Sequence, residues 1–346
     1  PVGAGPFAFA RWERGVQVEF ERFEEYWAPA ARPDRMVFLE NISTDVASAR
    51  FRNGDLDILY RPSKVNRLFL RSSAAWEPYI AEAPSPVIYA LGLNCELPPF
   101  DDVHVRRAVA FALDRAKVER LDPGRIIAAT QVLPPMLAPH DPDLPERQVF
   151  DLERARQEMR LAGYPDGLPE PITLWVRGDS DVRLAQLFQQ DLKKIGITIE
   201  LKLVTFATYL RETGRPRVAQ AAFTGWHQDF PDPSNFMDIL FHSRSIHPEN
   251  SENRSFYRNP ELDAILDAAR PETDRAKRLE LYAKANAILA EDAPWAFISY
   301  PVDMIAWQPY VKGFRPHPVW ANEYRHVWLD LPRQRVSQAI YEEGAR

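Results

Sequence analysis

The chain has 346 residues, 45% of them hydrophobic and 27% charged. That is a globular composition with more chain than one ordinary core takes up, so two domains or lobes are expected. The formal net charge of −6 and the lack of any basic block argue against nucleic acid or an anionic membrane as a partner.

No apolar run is long enough to cross a bilayer as a helix. The single cysteine, Cys95, excludes an internal disulfide and any Cys-pair metal site; beside an apolar run it reads as an inert buried thiol. The 31 prolines cluster, which suits many short elements joined by stiff turns.

In chain order, residues 7–27 alternate apolar and polar, with Val16, Val18 and Phe20 on one side, and read as a half-buried strand. A short strand is expected over 36–39, then a helix over 45–52 stopped by Asn53-Gly54, then a strand over 57–60. Residues 87–94 are apolar almost throughout and bounded by prolines, the pattern of a fully buried strand. Asp101-Asp102 precede a helix expected from 103 to about 120, with Val105, Ala108, Val109, Ala112 and Leu113 as its apolar stripe and Arg106 and Arg107 facing solvent. Residues 121–150 read as Pro-rich and irregular.

A helix over 152–162 and a strand over 172–176 follow, then a helix over 181–195 and a strand over 197–204. That strand–helix–strand order predicts a right-handed crossover and a parallel pair. A strand over 219–226 leads into a Pro-rich turn and a helix from 234 to 241. Helices over 261–269 and 275–291, a long strand over 295–307 and a short one over 311–314 complete the pattern; beyond Pro332 a frayed helix or disorder is expected.

The stretch from Thr224 to Phe236, T-G-W-H-Q-D-F-P-D-P-S-N-F, concentrates the chemistry. Gly225 leaves room for a ligand or another backbone. Trp226 offers a flat face and one N–H donor, to a cleft or to a core, and Phe230 extends the aromatic surface. Pro231 and Pro233 stiffen the loop. Asp229 stands at a strand's carboxyl end, where α/β sheets bind ligands, in a setting that limits water and holds a carboxylate for a cation. Asn235 reads as a helix cap or helix-facing residue. Arg177, just past a strand, has a fork that matches a ligand carboxylate. Asn94 is placed either to bond a ligand backbone or to brace a hinge.

Nucleophile, phosphate-loop and metalloprotease motifs are absent. His242 and His247 are poorly spaced for one metal on a helix and read as surface residues. His227 beside Asp229 has no serine or cysteine nucleophile suggested near it, so no catalysis, metal or cofactor is expected.

Within that stretch, Gly225 to Phe236, G-W-x-x-D-F-x-D-P-x-x-F, resembles the signature of the family 5 extracellular solute-binding proteins, the oligopeptide-, dipeptide- and nickel-type receptors of ABC importers. Further segments match in order: Gly3-Ala4-Gly5-Pro6-Phe7, Asn53-Gly54-Asp55-Leu56-Asp57, Pro98-Pro99-Phe100-Asp101-Asp102 through Arg106-Arg107-Ala108, Tyr257-Arg258-Asn259-Pro260-Glu261-Leu262-Asp263 and Glu291-Asp292-Ala293-Pro294.

The resemblance implies an α/β, two-lobed periplasmic-binding-protein-like fold of type II. Lobe I is expected over about 1–95 with 301–346, and lobe II over about 96–300, joined by crossover strands near 87–95 and 296–306. It implies a peptide or peptide-like solute held in an inter-lobe cleft, with Asp229 meeting the α-amino group and Gly225, Trp226, Phe230, Asn94, Arg177 and Asn235 as candidate neighbours. It also implies ABC permease subunits as partners, membrane contact only through them, a periplasmic or extracellular setting and a monomer. A nickel chelate or saccharide receptor, a permease-fused module and a sensor are the alternatives. Family members carry further residues before the Gly3–Phe7 turn, which this sequence does not include.

Overall fold

A computed structural model describes residues 3–317 and 323–330. The segment beyond Pro332, expected to fray, lies outside the described residues. The chain divides into two compact units, Pro1–Ala83 with Asp303–Arg346, and Pro84–Val302.

In the first unit, Phe7–Glu13, Gln17–Arg22 and Arg35–Leu39 form an antiparallel three-stranded sheet. The single strand expected over 7–27 is therefore a hairpin. Gly15, at φ +78°, supplies the left-handed turn that alternation alone does not announce. Helix Thr44–Asn53 starts on Ser43, whose side chain accepts from the Val46 N–H, and stops at Gly54 in the left-handed conformation. Its Phe51 packs with Leu59, Leu70, Trp76, Met304 and Ala306 in a small core.

The second unit is built on a mixed sheet. Its order is the part of strand Trp295–Trp307 before Asp303, then Val87–Leu93, Ala221–His227, Ile172–Arg177, Ile199–Val204. The first two contacts are antiparallel and the last two parallel. The expected parallel pair is present, with helix Gly178–Lys193 as its crossover.

The strands alternate between two cores. Leu91, Leu93, Ala221, Phe223, Ala296 and Ile298 face one with Val105, Val109 and Phe188. Ile88, Ala90, Trp295 and Phe297 face the other with Phe236, Leu240, Leu262 and Tyr282. Both faces are covered, which is why residues 87–93 read as a continuous apolar run.

Three expectations are corrected here. The helix over 103–120 is two, Val103–Ala112 and Ala116–Leu121. The break comes where Arg115 turns inward, 3% exposed, and its guanidinium takes the Ala110 and Leu113 carbonyls at the end of the first helix. Arg106 is buried, not solvent-facing: it donates to the Phe100 and Asp292 carbonyls. His242 is buried as well. Its Nδ1 accepts from the Arg244 N–H, and its Nε2 lies 3.3 Å from Asp267. For Arg106 and His242 a distant partner, Asp292 and Asp267 respectively, compensates a polar group that the local sequence assigns to the surface.

Candidate ligand-binding site

The strand Ala221–His227 runs antiparallel to Val87–Leu93 along its full length, with Gly225 opposite Tyr89 and Trp226 opposite Ile88. A Cβ on Gly225 would lie 2.6 Å from the Tyr89 ring and 2.7 Å from the Ile88 carbonyl oxygen. The space that Gly225 leaves is thus filled by the neighbouring strand. The chain leaves the sheet after one more backbone bond, Gln228 N–H to the Pro86 carbonyl at 3.0 Å.

Trp226 is half-buried and packs against the second core. Its indole N–H donates to Asn235 Oδ1 at 3.0 Å. The same oxygen accepts the Asp229 backbone N–H at 2.9 Å. Asn235 itself is fully buried at 0% exposure. Its Nδ2 stands 3.4 Å from Asp229 Oδ2. One buried amide therefore fixes the indole and the backbone of the candidate carboxylate together.

Asn235 reaches back out of its helix and does not cap it. The helix start is held by Asp232, whose Oδ1 accepts from the Ser234 N–H at 3.0 Å and hydroxyl at 2.6 Å. The Asp229 side chain is exposed, and Phe230 is 42% exposed. The expectation that this carboxylate is sheltered from water is corrected: the loop turns outward after Gln228, so its order comes from Asn235 and not from burial.

Asp232 was not legible as a site residue, and neither was Arg278. They form a two-point ion pair, 2.7 Å and 2.8 Å, between the loop and helix Arg275–Asp292. Burial pushes the Asp232 carboxyl up, but the hydrogen bonds from Arg278 and Ser234 outweigh it and leave it below its ordinary value. The partners are far apart in sequence, and no local spacing signals such a pair.

Asn94 and Arg177 have partners elsewhere. Asn94 is 2% exposed; its Nδ2 donates to the Ala219 carbonyl at 2.9 Å and its Oδ1 accepts the Glu96 N–H at 3.0 Å. Both ends of that amide brace backbone. Arg177 donates from Nε to Asp181 at 3.0 Å and lies over the Tyr209 ring at 4.8 Å. Its guanidinium is thereby oriented from one edge and one face.

Three of the other matched motifs, those holding Arg106, Tyr257 with Asn259, and Asp292, meet one another. Tyr257 donates to Asp292 Oδ2 at 2.5 Å, Asn259 donates to it at 3.1 Å, and Arg106 takes the Asp292 carbonyl at 2.9 Å. Among the described residues no group of three His, Cys, Asp or Glu side chains is arranged to hold a metal ion.

Two α/β units, one presenting a stiffened loop at a strand's carboxyl end, place the chain in the class of two-lobed periplasmic solute-binding proteins. The solved structure of the ABC transporter-associated periplasmic binding protein DppA from Helicobacter pylori, in complex with peptide STSA, matches it. The TM-score is 0.82 at 26% identity, over 95% of this chain and 64% of that one. Residues 1–247 match the model of the bacterial extracellular solute-binding proteins, family 5 middle, and the chain belongs to that family.

Among similar proteins, heme-binding protein A of Haemophilus influenzae is 27% identical over 95% of this chain and 60% of its own length. Di/tripeptide-binding protein 2 of Pseudomonas aeruginosa is 28% identical over 95% of this chain and 62% of its own length. This chain thus spans about 60% of the length of these relatives.

Proposed function

We propose that the chain is the solute-binding part of an ABC-type importer. It takes a peptide or peptide-like solute and presents it to a membrane permease on the periplasmic or extracellular side of a bacterial inner membrane. It works as a monomer, without a cofactor, and meets the membrane only through the permease.

The observation that carries this reading is the Asp229 carboxylate. It is exposed, while its backbone is tied through Asn235 to the Trp226 indole. A fixed anion next to aromatic faces suits an ammonium on a partly apolar ligand, and a peptide's free amino terminus has that chemistry. Arg177, held by Asp181 and Tyr209, suits the carboxylate of such a ligand. The relatives' names support the class of solute: one is called a di/tripeptide-binding protein, and one solved structure holds a peptide.

Calorimetry with short peptides, each free and N-acetylated, tests the reading. Losing one member of a ligand ion pair costs on the order of 2–5 kcal/mol, and exposure of Asp229 puts it at the low end. Asp229→Asn is expected to weaken the free peptide roughly thirtyfold and leave the acetylated one nearly unchanged. Equal losses on both peptides would remove Asp229 from the site. Binding of hemin with none of peptide would move the solute class towards chelates, the chemistry named for one relative. A flat response to all of them would favour a module or sensor that does not carry solute.

A further inference from the structure

We propose that Arg278 is a positioning residue for the ligand's ammonium. It never touches the ligand; it locks Asp232, and through Asp232 the turn that aims the Asp229 carboxylate. This rests on the reading of Asp229 as the amine anchor.

Arg278 stands in the first turn of helix Arg275–Asp292, which already has Asp274 as its N-cap. A cation is disfavoured at that end of a helix, so the position does not serve its own helix. The side chain looks outward instead, and each kind of donor has an acceptor. Nε donates to the Ala269 carbonyl at 3.1 Å, closing the end of helix Pro260–Ala269. The terminal nitrogens take the two oxygens of Asp232. The guanidinium lies over the Tyr282 ring, 4.9 Å from its centre. Only a planar fork meets a carboxylate at two points while its third nitrogen faces another way; an ammonium does not.

The path from Asp232 to Asp229 is short and stiff. Pro231 lies between them and fixes one intervening φ angle, and Pro233 fixes the next on the way to Ser234 and Asn235. Asp232 holds Ser234 by both N–H and hydroxyl, and the next residue is Asn235, whose Oδ1 fixes the Asp229 N–H and the Trp226 indole. Asp229 is exposed, so neither packing nor burial orients it. Its aim is set by this hydrogen-bonded chain, and the chain is anchored to the body of the unit at Arg278.

Arg278→Lys keeps the charge and loses the fork; Asp232→Asn keeps the shape and loses the charge. Each is titrated with tri-alanine and N-acetyl-tri-alanine by calorimetry, alongside thermal melts. Both variants are expected to bind tri-alanine roughly tenfold more weakly than wild type. Binding of the acetylated peptide should change less than twofold, so the preference for the free amine shrinks. A loss shared equally by both peptides would show a merely structural residue and overturn the proposal, as would unchanged binding. If one variant fails to fold, the other carries the test, because each breaks the same pair from a different side. If wild type itself does not prefer the free amine, the Asp229 reading fails first and the role of Arg278 falls with it.

Discussion

Asn235→Ala removes the oxygen that accepts both the Trp226 indole N–H and the Asp229 backbone N–H. A buried donor left without an acceptor costs about 1–3 kcal/mol. Trp226 is half-buried and the Asp229 side chain exposed, so water can reach part of this loss. The lower figure for each donor, with a further ~1 kcal/mol for lost packing at a fully buried position, gives about 3 kcal/mol. At roughly 2–4 °C per kcal/mol for a unit of this size, the melting temperature should fall by about 6–12 °C.

Asn235→Asp separates the hydrogen-bonding role from the electrostatic one. It keeps an acceptor for both N–H groups but puts a second carboxylate where the amide nitrogen stands 3.4 Å from Asp229 Oδ2. At that distance two like charges repel by about 1 kcal/mol in water-like surroundings and about 5 kcal/mol at an effective dielectric of 20. Repulsion raises the folded-state pKa of the pair above its unfolded value. The penalty is therefore full at neutral pH and is relieved as pH falls through that raised value. The two variants are compared by urea unfolding at pH 7 and pH 4. Asn235→Ala should show the same deficit at both, and Asn235→Asp should recover most of its own at pH 4. An Asn235→Ala variant within about 0.5 kcal/mol of wild type, or an Asn235→Asp variant indifferent to pH, would refute the claim that this amide holds the loop.

Two further predictions concern the body of the second unit. Arg115 donates to the Phe297, Ala110 and Leu113 carbonyls and to Gln148 Oε1, and burial pushes its guanidinium down to about 9. Arg115→Ala leaves those acceptors bare and a cavity beside them, so about 3–5 kcal/mol should be lost in denaturant unfolding; a loss under ~1 kcal/mol would mean the helix break does not depend on it. Cys95 is half-buried, not fully buried as expected, and desolvation pushes its thiol up to about 11, with Arg106 opposing. Alkylation at pH 8 should be roughly a hundredfold slower in the native protein than after unfolding, and should climb with pH; equal rates would show an accessible, ordinary thiol.

What the sequence disclosed and what it hid follow one physical division. Residues 87–93 and the parallel pair were legible because hydrophobic periodicity and glycine or proline punctuation are local signals. Gly225 was legible as a close approach, but whether a ligand or a strand approached depended on pairing with Tyr89, more than a hundred residues away. Arg106, Arg115, His242 and the Asp232–Arg278 pair were hidden for one shared reason. Composition places a charged side chain in water, and that prior fails only when the fold brings it an acceptor. Arg106 finds the carbonyl of Asp292, and Arg278 finds a carboxylate in the site loop. The loop motif thus advertised Asp229 while concealing what aims it. A candidate carboxylate can be read from its neighbours in sequence, but its exposure and the fixity that makes it a useful anchor belong to contacts that only the folded chain supplies.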